Sequence, residues 1–288
     1  GSSRRVLVAK RYLIEKRLPK QDPKVELCLP QNRPNETIAP EKMQNFAQAL
    51  HQQKRKGRFA TMKILLVSLF TLLSSLVLAQ QAAAPKEAKY LPLYGQKALS
   101  DKDQKELLQF VESCDASFGS RKEAVEFFSE RAWEFVSSGN LDTATYRFNL
   151  VQALDSQAVD SYWGLGVITF QRQDFPKAIE FLNKGLALDS TQSILRVDLA
   201  IVKLSCYLKN MDCGTLEETD SLLQQALLQT PNYATAWMKR AQVAYLQEKY
   251  ENAWAYLHEC RKLDITQLDI VLGNSLAEKM PDPQGVFK

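Results

Sequence analysis

The stretch "SYWGLGVITFQRQDFPKAIEFLNKGLALDS", residues 161–190, is one copy of a recurring pattern, and the recurrence constrains the fold more than any other feature. Thirty-four residues upstream stands "FFSERAWEFVSSGNLDTATYRFNLVQALDS". Phe128 aligns with Tyr162, Ala132 with Gly166, Leu141 with Phe175, Ala144 with Ala178, Phe148 with Leu182 and Val151 with Gly185. A later copy, "AWMKRAQVAYLQEKYENAWAYLHECRKLD", puts Trp237, Ala241, Tyr250, Ala253, Leu257, Cys260 and Asp264 in the same places. Between them, residues 193–233 keep Ala200, Leu216, Leu223, Ala226 and Pro231 but carry about seven extra residues around "CYLKNMDC". Small residues at fixed spacing let two antiparallel helices cross closely, and large apolar residues a turn away fill the grooves on either side. A Gly-Asn or Gln-Asp turn reverses the chain between them. One such pair cannot bury its own apolar faces, so successive pairs must stack.

The 34-residue unit, with its small–aromatic–Ala pattern ending near Pro, resembles the tetratricopeptide repeat family over residues 125–267. The resemblance implies an all-α fold, a right-handed superhelix of stacked antiparallel helix pairs. Repeats are expected at about 125–158, 159–192, 193–233 and 234–267. Departures are Arg196 in place of an aromatic, Thr219 in place of Ala, and the insertion in the third copy. The segment "FGSRKEAVEFFSERAWEF…DTATYRFNLVQALDSQAVDSYWGLG" also resembles uncharacterised envelope repeat proteins of Gram-negative bacteria, which carry no assigned activity.

The flanks are read from capping signals. Ser100 with Asp103, and Ser120 with Glu123, each place a hydroxyl three residues before a carboxylate, the signature of a helix start. A leading helix is expected at 101–114. The helix at 268–280, ended by Pro281, is read as a cap with a polar outer side, because a stacked array must end on one. Residues 281–288 are left as a tail, and 80–99 as a flexible spacer.

Charge divides the chain. Residues 1–61 hold 14 Lys/Arg and 5 Asp/Glu, whereas from Gln80 onward there are 22 and 28. The acidic part is unsuited to the phosphate rows of nucleic acid, so no nucleic-acid partner is expected. Residues 62–79, "MKILLVSLFTLLSSLVLA", combine a Lys, a short apolar run and a small-residue end. That describes a secretory signal peptide cleaved after Ala79. The run is shorter than the ~20 residues of a usual spanning helix. Residues 1–61 are then an upstream extension. The alternative is a cytoplasmic tail held inside by "KRKGR" before an uncleaved signal anchor, the one route by which this chain would meet a membrane. Either way the acidic domain is exported, to the periplasm or cell envelope or beyond the cell.

Little points to catalysis. His51 lies in the leader, and His258 is read at a surface position of the last repeat. No glycine pattern fits a phosphate cradle, and "WGLG" at 163–166 is close-packing glycine. The carboxylates fall on helix faces and turns, with no pair arranged for acid/base work. No enzyme activity, metal or cofactor is expected. Cys260 takes the place of a small core residue and reads as an apolar filler. Cys206 and Cys213 bracket the insertion and are a disulfide candidate in an oxidising compartment, where the bridge would shape a recognition loop or simply stiffen a long turn.

In the resembling family the first helix of each pair lines the concave surface. Here that row would hold Trp133, Trp163, Val167, Phe170, Ile201, Met238, Gln242 and Tyr245, an apolar and aromatic lining. The Lys/Arg/Asn clamp by which some family members grip a C-terminal carboxylate is not matched. The expected function is a non-catalytic binding or scaffold module for a protein or peptide. The alternative is a carrier of a small apolar molecule or lipid in the same groove, or a row that packs between units.

Overall fold

The computed structural model describes residues 87–287; the readings placed on 1–61, on 62–79 and on the start of the spacer lie outside the described residues. Among the described residues there are ten α-helices and no strand. They are α1 (Asp101–Ser117), α2 (Arg121–Ser137), α3 (Leu141–Leu154), α4 (Val159–Gln171), α5 (Phe175–Leu188), α6 (Ser193–Leu208), α7 (Leu216–Gln229), α8 (Ala234–Leu246), α9 (Tyr250–Leu263) and α10 (Ile270–Lys279). The pairs α2–α3, α4–α5, α6–α7 and α8–α9 pack most closely, and each stacks on the next.

Each reversal is built the same way. The chain leaves the first helix through one left-handed residue: Gly139 (φ 78°), Gln173 (68°), Asn210 (54°) and Glu248 (61°). Such a residue ends a helix by turning the chain off its axis. Only the first unit uses glycine, which adopts that conformation without strain. In units one and two a capping side chain follows at once. Asn140 accepts from the Thr143 N–H, and Asp174 from the Lys177 N–H.

Glycine also sets the spacing inside unit two. A Cβ on Gly164 would overlap the Phe148 ring of α3, and one on Gly166 would lie 2.7 Å from Leu182 of α5. These two residues let α4 approach the previous unit and its own partner helix together. Ala144, Ala178 and Ala253 are fully buried in the second helices. Phe170 packs against the cores of both the second and third units, and Trp237 against those of the third and fourth, so the apolar interior runs on from unit to unit.

The third unit absorbs its insertion in two places. α6 has 16 residues where α4 and α8 have 13, and the loop after it runs 209–215 where the other units use three residues. Cys206 and Cys213 are joined as a disulfide across this loop. Gly214 presses on the Lys203 backbone, where no Cβ fits. The odd residues of this unit are accommodated by bonding. Arg196 is buried and donates to the Ser190 carbonyl and to Gln229 Oε1, and Thr219 Oγ1 donates to the Thr215 carbonyl.

The flanks differ from the sequence reading. α1 continues to Ser117, three residues past Cys114, and Phe118 after it packs on Phe127 and Phe128. Much of the stretch read as flexible spacer is ordered. Short 3-10 turns at Ala88–Tyr90 and Pro92–Gln96 lie on α3, where Asn149 Oδ1 accepts from the Leu93 N–H and Nδ2 donates to the Lys89 and Leu91 carbonyls. The tail is also placed. Residues 281–287 return over α9, where Phe287 packs on Trp254 and His258. The cap, finally, is not polar outside: Ile270 and Val271 of α10 are 75% and 74% exposed.

Candidate functional site

Successive first helices touch directly, α2 with α4, α4 with α6, and α6 with α8, so these four form one inner row. Two tryptophans cross it as rungs. Trp133 Nε1 of α2 donates to Asp160 Oδ1 of α4 at 3.1 Å, and Trp163 Nε1 of α4 donates to Asp198 Oδ2 of α6 at 2.7 Å. The rings meet edge-on at 5.2 Å. A buried indole N–H needs an acceptor, and a carboxylate supplies a charge-assisted one. Each rung therefore ties one unit to the next through both apolar contact and a hydrogen bond.

The predicted row divides on this basis. Trp133, Trp163, Val167, Ile201 and Met238 are buried, Trp163 to 7% exposure. Met238 is held at the far end, where its Sδ accepts from the Asp269 N–H. Phe170, Gln242 and Tyr245 keep partial exposure. Phe170 lies edge-on to Phe175, and Tyr245 tilts against Tyr250. The half of the row left with accessible surface is thus Phe170 on α4 and Gln242 with Tyr245 on α8.

Three polar residues of this face were not anticipated. Asp160 reads in sequence as an ordinary acid in the first turn of a helix. Asp198 carries a clearer signal, since a buried acid inside the apolar run "VDLAIV" needs a local donor. It lies close enough to Tyr233 that its charge adds to burial in pushing that phenol above the usual tyrosine range. Lys239 of α8 is half-buried. Burial pulls its pKa below the ordinary lysine value, against the attraction of Asp269, and its Nζ donates to Gln242 Oε1 at 3.1 Å. Lys239 and Gln242 therefore add a hydrogen-bonding pair beside Tyr245.

Away from the row, His258 is buried to 1% exposure rather than at the surface, with Nε2 2.7 Å from Asp282 Oδ1. The cause is the tail, which the repeat pattern does not encode. Asp282 also accepts from the N–H groups of Gln284, Val286 and Phe287. Cys260 is fully buried, and burial, aided by Asp264, pushes its thiol up to about 11. Among the described residues no group of three or more His, Cys, Asp and Glu could hold a metal ion, and no helix is long and apolar enough to cross a membrane.

The tetratricopeptide repeat family model matches residues 129–193 and 221–259. Less than half of the chain is covered, and the gap between the matches takes in the enlarged α6 and its disulfide loop. No curated protein matches the chain in sequence. Among solved structures, PilW, described as a widely conserved type IV pilus biogenesis factor, is 16% identical with a TM-score of 0.47, over 65% of this chain and 84% of that one. MamA is 14% identical with a TM-score of 0.42, over 56% and 85%. YrrB, described as a tetratricopeptide protein with an unusual peptide-binding site, is 19% identical with a TM-score of 0.29, over 55% and 98%. Likeness at this level carries no argument about what the present chain binds.

Proposed function

We propose that the repeat array is a non-catalytic docking module that receives a protein or peptide along its inner row of first helices. Tetratricopeptide arrays are in general interaction modules, and the matched repeats support that class for this chain. The observation that carries the finer reading is the mixed surface left on the row. Phe170 and Tyr245 offer half-buried aromatic surface, and the Lys239–Gln242 pair offers a donor and an amide beside it. Partly buried rings with adjacent polar groups are the usual anchors of an interface. The rungs tie α2, α4 and α6 together, so little ordering is required of that part of the row on binding.

The module acts outside the cytoplasm in this reading. Support comes from the signal-like sequence at 62–79 and from the Cys206–Cys213 disulfide, a bond that persists in oxidising compartments. The test is capture from the native host with the full chain, beside the variant Phe170→Ala/Tyr245→Ala. The variant should keep its helical circular dichroism and lose most of its bound protein. Undiminished protein capture by a folded variant would rule out the inner row, and recovery of an apolar small molecule in place of protein would favour the carrier.

A further inference from the structure

The strap 88–96 lies on α3 as a bound peptide would, and its two halves fit unequally well. Residues 88–93 are well held. Asn149 of α3, fully buried, accepts from the Leu93 N–H and donates to the Lys89 and Leu91 carbonyls, so it reads main chain alone. Leu93 packs on the apolar core, and the Tyr90 ring lies 6.4 Å from that of Tyr146. The chain then turns back toward α1 at a cost. Leu93, Tyr94, Gly95 and Gln96 follow one another at φ 48°, 56°, 73° and 57°, a left-handed turn that disfavours every residue but the glycine. The Tyr94 hydroxyl is buried and makes no hydrogen bond among the described residues, an uncompensated desolvation. The link onward to α1 is open: Lys97, Ala98 and Ser100 are exposed, and Lys97 and Ser100 have extended backbone.

We propose that 88–93 docks in trans: two copies of the chain exchange these segments, each laying its own on α3 of the other, with 94–100 opened as the connection. The occupant follows from what the site reads. A chain that opens alone strands the buried Asn149 amide and the bed of Leu93. The segment that matches them, with carbonyls at 89 and 91, an N–H at 93 and a leucine side chain there, is this one. A copy that lends its segment leaves its own α3 vacant, so the exchange is reciprocal and closes as a two-fold pair. The contacts at Asn149, Tyr146 and Leu93 are the same in either arrangement, so the connection decides between them. Closed, it is the left-handed turn with the buried Tyr94 hydroxyl. Opened, 94–96 can leave the left-handed region and the hydroxyl can reach water. A short connection under strain is the usual setting for such an exchange. Residues 94–100, drawn out, span roughly 23 Å, enough to pass from one copy to a neighbour. Pairing costs freedom of movement, which two relaxed turns per pair offset. The site lies on a second helix, apart from the inner row, and does not depend on what the inner row binds.

Sedimentation of the full chain, equilibrated over a range of concentrations, should show a reversible monomer–dimer equilibrium. Gln96→Gly eases the closed turn without touching the docked half, since Gln96 is exposed and glycine takes the left-handed region without strain. It should weaken the dimer at least about tenfold, because each pair opens two turns, while helical circular dichroism is unchanged. Photo-cross-linking reads the exchange itself. A photoreactive phenylalanine derivative in place of Tyr90, in a mixture of unlabelled and isotope-labelled chains, should give a covalent dimer whose adduct joins position 90 of one chain to α3 of the other. A strictly monomeric chain overturns the proposal. So does a dimer in which every adduct from position 90 stays within one chain, or one whose affinity Gln96→Gly leaves unchanged.

Discussion

Gly164 shows how one residue sets a distance between units. Its missing side chain is where the Phe148 ring sits, so α4 rests on α3 at a separation that a methyl group would not allow. Gly164→Ala should destabilise the array by about 1–3 kcal/mol, the usual cost of overpacking. Urea unfolding measures this, and an unchanged midpoint would mean that α4 does not lie on Phe148. Asp282 makes an electrostatic prediction at the same scale. Burial alone would raise its carboxyl pKa, but hydrogen bonds from the Phe287 and Gln284 N–H groups, from His258 and from the Val286 N–H outweigh burial and hold it at about 2, below the ordinary 3.8. A depressed carboxyl stabilises the fold fully above its unfolded pKa and loses that contribution as pH falls through the folded one. The extra stability of the wild type over Asp282→Asn should therefore shrink between about pH 4 and pH 2, and thermal melting at each pH would show it. A difference that stays constant across this window would contradict the assignment. The role of the small residues was legible in the sequence because close crossings leave few alternatives to Gly and Ala. His258 was misplaced because its cover comes from 281–287, a segment outside the repeat whose register no periodicity reports.

At the scale of elements, the strap before α1 was the least legible part. Its composition reads as a spacer, and what orders it is a buried asparagine 50 residues or more away in sequence, together with the packing of Leu93 on the core and of Tyr90 on Tyr146. Asn149, buried inside α3, makes three hydrogen bonds to the backbone of 89–93. The strap is held in an unusual shape, with Leu93, Tyr94 and Gln96 all at positive φ beside Gly95. Non-glycine residues adopt that conformation only when their surroundings enforce it. Asn149→Ala removes the enforcing contact, so 88–96 should come loose while the repeats stay folded. Limited proteolysis should then cut this segment much faster than in the wild type, with the melting of α2–α9 little changed. Equal cutting rates would show that the apolar contacts of Leu93 hold the strap without Asn149. The third unit teaches a related lesson. Its extra residues are visible in the sequence, but their division between one more turn of α6 and a longer loop depends on where Cys206 and Cys213 meet.

Across the whole array, the repeat period alone carries the fold: four pairs follow from the spacing of Ala, Gly and aromatic residues, and the family match falls on the same stretch. The binding surface was less legible for a physical reason. A first-helix residue can face the groove or the next unit, and a period cannot distinguish a shift of one residue around the helix. Trp133 and Trp163 went to the neighbouring units because Asp160 and Asp198 offer their indoles acceptors there. Gln242 and Tyr245 have no such acceptor in the next unit and retain surface, and Phe170 retains some although it also packs between the second and third units. The most direct test of the account is site-specific photo-cross-linking in the native host, with the photoreactive residue placed at Phe170 or Tyr245 on the inner row and at Leu228, 78% exposed on α7, as the comparison. The account predicts a discrete protein or peptide adduct at both inner positions and none at Leu228. An adduct that forms only at Leu228, or equally at all three, would contradict it.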